Sequence, residues 1–179
     1  MNTARPNKAL LIVDMINDFL TKGAPLQVPA GRWIIENIAG EINYARDKTR
    51  PIIYVCDQHS QEDPQFAHGP AHAVAGTEGA DVIYELAPKP CDHVIHKSGY
   101  SGFFGTELGA LLDELGIDEV LICGVLTNVG VLYTAMDALQ RGFRVIVPET
   151  CVAALTEADH KFALQQVNAV LRPVPPGEG

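Results

Sequence analysis

Short apolar runs alternate along this chain with longer stretches of helical periodicity, and this alternation restricts the folds that the chain can adopt. Six runs, most of them continuously apolar, predict strands that are buried on both faces, at 9–13, 52–56, 93–96, 120–123, 144–147 and 169–173. Helical periodicity occupies 33–47, 106–115, 128–140 and 157–167. We therefore predict one α/β domain over residues 1–179, with a doubly wound, mostly parallel six-stranded sheet and helices on both faces.

Charge and composition narrow the partners and the compartment. The chain has 179 residues and a formal net charge of −9, which disfavours a nucleic acid or an anionic membrane as partner. Its first residues lack the apolar core of a signal peptide, and no apolar run reaches transmembrane length. We expect a cytoplasmic protein that acts on a small molecule. The four cysteines show no CxxC spacing, so we expect buried free thiols.

One long connection, residues 57–86, is rich in His, Asp, Pro and Gly and has little apolar periodicity. It begins at the carboxyl end of the second predicted strand, where ligands of open α/β sheets bind. Asp57, His59 and His72 form a set of three donors that suits zinc, manganese or iron(II), and His68 competes with them. Hydrogen-bonded loop histidines are the alternative. We predict at most one divalent metal ion and no organic cofactor.

Charged residues end two of the predicted strands. Asp14 follows the first strand and Lys97 follows the third, so an ion pair inside a cleft is expected. Burial would raise the pKa of Asp14 and suit it to work as an acid or base. A helix cap at Asp14 and a solvated Lys97 are the alternatives. Phe19, Tyr100 and Phe103 are predicted to wall the substrate pocket, with packing in the core as the other possibility.

The segment 123–130 joins the fourth predicted strand to a helical stretch. Such a turn directs backbone N–H groups and the positive end of a helix dipole at a ligand, which is where α/β enzymes place a nucleophile. Gly130 occupies that place. The N–H groups of Leu126 and Gly130 could form an oxyanion hole. Alternatively, Gly130 is there only to allow close packing.

Together these blocks resemble the isochorismatase-like hydrolases, also called cysteine hydrolases, and most closely the nicotinamidase-type amidases. The blocks are LIVDMINDF at 11–19, DQH at 57–59, PAHAVAGTEGA at 70–80, KSGYSGFFGT at 97–106 and GVLTNVG at 124–130. The resemblance implies a non-proline cis peptide at Val125–Leu126 and a homodimer or homotetramer. It also implies metal ligands at the three donors already named: Asp57, His59 and His72.

In that family an Asp–Lys–Cys triad cleaves amides, and the resemblance places its members at Asp14, Lys97 and Gly130. Three activities stay open because the cysteine is missing. The amidase lineage, which the blocks favour, implies a small amide substrate cleaved at its C–N bond; it stays open whether the chain is active or inactive and whether Gly130 is natural or substituted. A cysteine-independent vinyl-ether hydrolase, like the true isochorismatases, would use Asp14 as its acid. A non-catalytic member would bind a small ligand in an intact pocket.

Overall fold

The computed structural model describes residues 7–170. Six parallel strands form one sheet in the order β3-β2-β1-β4-β5, and β6 pairs with the end of β4. The strands are β1 (Lys8–Val13), β2 (Ile52–Asp57), β3 (His93–Lys97), β4 (Glu119–Val125), β5 (Arg144–Ile146) and β6 (Val152–Ala153). The predicted fold class, an α/β fold with a six-stranded parallel sheet, is confirmed.

Alternate residues of the central strands enter two different cores. Along β1, Leu11 and Val13 pack into one apolar cluster, whereas Leu10 and Ile12 pack into the other, on the opposite face of the sheet. Both faces are therefore covered, which explains why these strands are continuously apolar in the sequence.

Within the described part of the chain, five α-helices surround the sheet: α1 (Asn17–Leu20), α2 (Ile35–Asp47), α3 (Leu108–Glu114), α4 (Leu132–Gln140) and α5 (Glu157–Val170). The apolar side of α2 packs into one cluster, because Ile35, Ile38 and Ile42 recur at helical spacing. Buried residues of α3, α4 and α5 belong to the other cluster. Within residues 7–170, no helix has the length and apolar character that crossing a bilayer requires.

The sixth strand was predicted in the wrong place. Residues 169 and 170 complete α5, and 171–173 lie outside the described residues. The sixth strand is β6, whose two residues are too few to show a periodic pattern. It shares one edge of β4 with β5: β5 pairs with Glu119–Leu121, and β6 pairs with Gly124 and Val125.

The connectivity brings four strand ends together. β1 is hydrogen-bonded to β2 on one side and to β4 on the other, so the chain order reverses at β1. Ligands of doubly wound sheets bind beyond the carboxyl ends of the strands at such a reversal. The carboxyl ends of β1 to β4 therefore define where a functional site is expected.

Candidate active site

Three charged side chains meet at the carboxyl ends of neighbouring strands. Asp57 and Lys97 are paired residues at the ends of β2 and β3. Lys97 Nζ lies 2.9 Å from Asp14 Oδ2 and also contacts Asp57 Oδ1. The backbone N–H of Asp57 donates to Asp14 Oδ1 at 2.8 Å. The structure thus brings Asp14 and Lys97 together as predicted, and it adds Asp57 as the second carboxylate on Lys97.

Burial controls the charge state of this group. It raises the pKa of Asp14 to about 7, and the charge of Asp57 acts in the same direction although Lys97 opposes both. Burial also disfavours charge at Asp57 and Lys97. At Asp57, His59 and Lys97 outweigh the effect of burial and lower the pKa. At Lys97, Asp14 and Asp57 outweigh the effect of burial and raise the pKa. Asp14 is therefore the member of the group that can exchange a proton near neutral pH, as expected from its position.

The turn after β4 has the backbone features that the resemblance implies. The Val125–Leu126 peptide is cis. Thr127–Val131 then forms a π-helical turn in which Leu126 O accepts from Val131 N at 3.1 Å. Thr127 Oγ1 is hydrogen-bonded to His160 Nδ1 of α5 at 2.9 Å. The turn is thereby held between β4 and α5.

The two glycines of this turn differ in what constrains them. Gly124 has φ +120°, and a Cβ there would lie 2.0 Å from Val13 O, so only glycine fits. Gly130 does not have such a φ, and its Cβ would point at Asp14, 2.9 Å from Oδ2. A side chain at position 130 would therefore lie next to Asp14, where a nucleophile is expected.

A cavity of about 360 Å³ opens above these residues. Its lining includes Asp14, Asp57, Lys97 and Gly130 with Phe19, Leu26, Gln65, His68, Gly69, Pro70, His72, Ser98, Gly99, Tyr100, Leu126 and Val129. Phe19 and Tyr100 thus line it as predicted, and so do Leu126 and Gly130. The role of their N–H groups as an oxyanion hole stays a prediction.

Phe103 was wrongly predicted as a pocket wall. It is 5% exposed, belongs to the apolar core and stacks on Phe143 with ring centroids 6.2 Å apart. The reason is a tertiary contact: the N–H of Gly102 donates to Thr134 Oγ1 of α4 at 2.9 Å. This bond holds the segment against α4, so the side chain at 103 enters the core.

No cysteine takes the place of the missing nucleophile. All four are free, and none lines the cavity. Cys56, Cys123 and Cys151 are buried as expected, whereas Cys91 is exposed. The lining of the cavity therefore contains no thiol nucleophile.

Asp57, His59 and His72 converge beside the charged group. Their ligand atoms all lie within 4.8 Å of one another. His59 Nδ1 is bonded to Asp63 Oδ2 at 3.0 Å, and its buried Nε2 has no hydrogen-bond partner. His72 Nδ1 is bonded to Pro70 O at 2.9 Å. This donor set fits a divalent metal ion, because each ring is oriented by one nitrogen and leaves the other available.

Sequence reasoning missed two residues that support this trio. Asp63 lies four residues after His59 and, with Asp57, raises the pKa of that imidazole. Asp18 Oδ2 accepts the N–H of Ala73, next to His72, at 2.7 Å. The sequence did carry a signal for Asp63: an Asp followed by Pro is typical of the start of a helix, where the carboxylate is held in a fixed position. No sequence pattern predicts the hydrogen bond between Asp18 and Ala73.

Known proteins resemble this chain in sequence and in fold. A family model described as Isochorismatase domain matches residues 8–175. An uncharacterized isochorismatase family protein of Bacillus subtilis (strain 168) is 32% identical over 168 residues, covering 94% of this chain and 92% of that protein. A probable inactive nicotinamidase of Arabidopsis thaliana is 30% identical over 165 residues, covering 86% and 84%.

The fold comparison agrees with the sequence comparison. The crystal structure of the pyrazinamidase of Pyrococcus horikoshii in complex with zinc matches with a TM-score of 0.85 and 32% identity, covering 92% of this chain and 96% of that one. The strand order, the charged group at the strand ends and these matches lead to one assignment. The chain is a member of the isochorismatase-like hydrolase superfamily.

Proposed function

We propose that the protein hydrolyses a small vinyl ether without a covalent intermediate, with Asp14 as the acid. One observation carries this proposal: the missing side chain of Gly130 would have pointed at Asp14 Oδ2. The carboxyl group therefore borders the cavity with no nucleophile beside it. Its pKa, raised to about 7, supports the same role because much of the group keeps its proton near neutral pH.

The proposed reaction uses only groups of this chain and water. Asp14 transfers its proton to the vinyl carbon and leaves an oxocarbenium-like carbon next to the ether oxygen. The Lys97 ammonium, 2.9 Å away, stabilises the carboxylate that forms. Water adds to the carbon and returns a proton to Asp14, and the resulting hemiketal breaks down into a carbonyl compound and an alcohol.

Asp14→Asn is expected to lower the turnover of a vinyl ether such as isochorismate by about 10²–10⁴-fold, because the amide keeps the shape of the carboxyl group and cannot donate the proton. Substrate loss is followed by chromatography, and Asp113→Asn, on the exposed face of α3, is the matched control. Turnover that is equal in the Asp14→Asn variant and the unmodified protein would rule out Asp14 as the acid.

A second candidate is binding of a heteroaromatic amide without cleavage. The trio of Asp57, His59 and His72 favours it, because the site resembles that of the amidases while the nucleophile is missing. The relative described as a probable inactive nicotinamidase supports this possibility. Nicotinamide that binds and is recovered intact, with no vinyl ether consumed, would favour this candidate over the ether hydrolase.

We also propose that the trio holds one divalent metal ion, as its orphaned His59 Nε2 supports. Such an ion would supply a positive charge and open coordination positions for water or a substrate ring nitrogen. The zinc-bound relative makes zinc the first ion to test.

Calorimetric titration with zinc is expected to give up to one site per chain, and His72→Ala is expected to weaken binding at least about tenfold. His96→Ala, an exposed histidine on β3, is the matched control and should leave the affinity unchanged. Equal zinc affinities in the His72→Ala variant and the unmodified protein would leave the trio as ordinary loop residues.

A further inference from the structure

Two cysteines outside the cavity immediately precede a pair of strand residues: Cys123 lies in β4, and Cys151 ends the short 3₁₀ turn Glu149–Cys151 that leads into β6. The pairing of β4 with β6 begins at Gly124 and Val152. One residue earlier on each segment stand Cys123 and Cys151, and both belong to the same apolar cluster. Paired strands lie about 4.8 Å apart, and a disulfide needs a Cα separation of about 4.4–6.8 Å. Residues next to the first pair of this ladder are therefore candidates for a cross-link.

The two thiols also interact with each other. Their mutual interaction, together with burial, raises the pKa of Cys123, and the same interaction lowers the pKa of Cys151. Thr150 Oγ1 lies 3.8 Å from Cys151 Sγ, and this contact also lowers the pKa of Cys151. Cys151 is therefore the thiol of the pair that more readily becomes the nucleophilic thiolate.

No other cysteine competes for this pairing. Cys56 lies on β2, and β1 separates that strand from β4. Cys91 is exposed and precedes β3, at the far edge of the sheet. A disulfide within the chain therefore has one geometrically favoured pair.

We propose that Cys123 and Cys151 form an oxidation site, at which a peroxide converts the two thiols to an intramolecular disulfide. The Cys151 thiolate attacks one peroxide oxygen, the O–O bond breaks and hydroxide leaves, which gives a sulfenic acid. Cys123 sulfur then attacks Cys151 sulfur, the S–O bond breaks, and water leaves with the proton of Cys123. Two thiols are oxidised by two electrons while the peroxide is reduced to water.

Neither thiol is accessible to solvent in the folded chain. Cys123 is 0% and Cys151 2% exposed, so oxidation requires local opening. The segment that must open is short: β6 pairs at two positions, and the preceding Glu149 and Thr150 are exposed. Short edge segments are among the parts of a domain that open most readily.

The disulfide would change the stability of the site-bearing part of the chain. It would close a loop that contains the cis peptide, the π-helical turn and α4, because all of these lie between Cys123 and Cys151. Cross-linking a loop of this kind restricts the unfolded chain. A cytoplasmic reductant would reopen the bond, so the modification is reversible.

The test uses the full chain with Cys91→Ser, which removes the exposed thiol. Hydrogen peroxide followed by alkylation under denaturing conditions is expected to leave one of the three remaining thiols free, with an intact mass lower by two hydrogens before alkylation. Peptide mapping should join Cys123 to Cys151, and dithiothreitol should restore all three thiols and lower the thermal midpoint that oxidation had raised.

Matched variants in the same background keep the proposal falsifiable. Adding Cys151→Ser should abolish the loss of mass, and adding Cys56→Ser should leave it unchanged. Three free thiols after peroxide treatment of the folded protein would overturn the proposal. A disulfide that contains Cys56 would also overturn it.

Discussion

Gly130→Cys is expected to create a thiol that iodoacetamide alkylates at neutral pH at least about tenfold faster than any of the four existing cysteines. The Cβ at 130 would lie 2.9 Å from Asp14 Oδ2, so the new sulfur extends from a point beside the carboxyl group that can accept its proton. Lys97, 2.9 Å from Asp14, and the helical turn that begins at Thr127 both favour the thiolate. The variant is also expected to gain hydrolysis of nicotinamide-like primary amides.

Gly130→Ala is the matched control, because it adds the same Cβ without the sulfur. Both substitutions require Asp14 to shift by a few tenths of an ångström, so any difference between the two variants comes from the thiol. Mass spectrometry of partially alkylated protein gives the rate at each cysteine. A cysteine at 130 that reacts no faster than the exposed Cys91 would show that the turn does not activate a nucleophile.

Lys97→Met is expected to lower the free energy of unfolding by about 3–5 kcal/mol, because it leaves the buried Asp57 carboxylate and the ionised fraction of Asp14 without their shared cation. Lys97 is 3% exposed and contacts both Asp14 and Asp57, so methionine fills the volume and removes the charge. Urea unfolding at neutral pH measures the change. Lys161→Met, which breaks an exposed pair with Glu157, is the control and should leave the free energy of unfolding nearly unchanged, because solvent screens that pair.

A double substitution separates charge from packing. Asp14→Asn added to Lys97→Met removes one of the two unpaired carboxylates, so part of the lost stability should return. A Lys97→Met variant as stable as the Lys161→Met control would mean that the carboxylates of Asp14 and Asp57 are not kept together by this lysine.

Much of the site could be predicted from the sequence because polar residues stand out at the ends of apolar runs. Asp14 and Lys97 each follow such a run, and parallel strands bring those ends to one edge of the sheet. Asp57 was predicted for the metal site alone. Its contact with Lys97 depends on the pairing of β2 with β3, which periodicity does not reveal.

The errors arose where tertiary contacts decide the local structure. The direction of the Phe103 side chain depends on the bond from Gly102 to Thr134, which are distant in sequence. The strand β6 exists because Val152 and Ala153 add to the free edge of β4 beyond β5, not because of its own pattern. The helix predicted at 157–167 is confirmed, but it extends to residue 170. Residues 169 and 170 had been assigned to a predicted strand because they begin an apolar run.

The unequal constraints on the two glycines of the turn have an evolutionary consequence. Gly124 is required by the backbone conformation, whereas Gly130 is not, and a small side chain at 130 requires only that Asp14 and its neighbours shift slightly. In the genetic code, glycine (GGC) and cysteine (TGC) codons differ by one nucleotide. A single base change is therefore enough to place a thiol beside Asp14 or to remove one from this position.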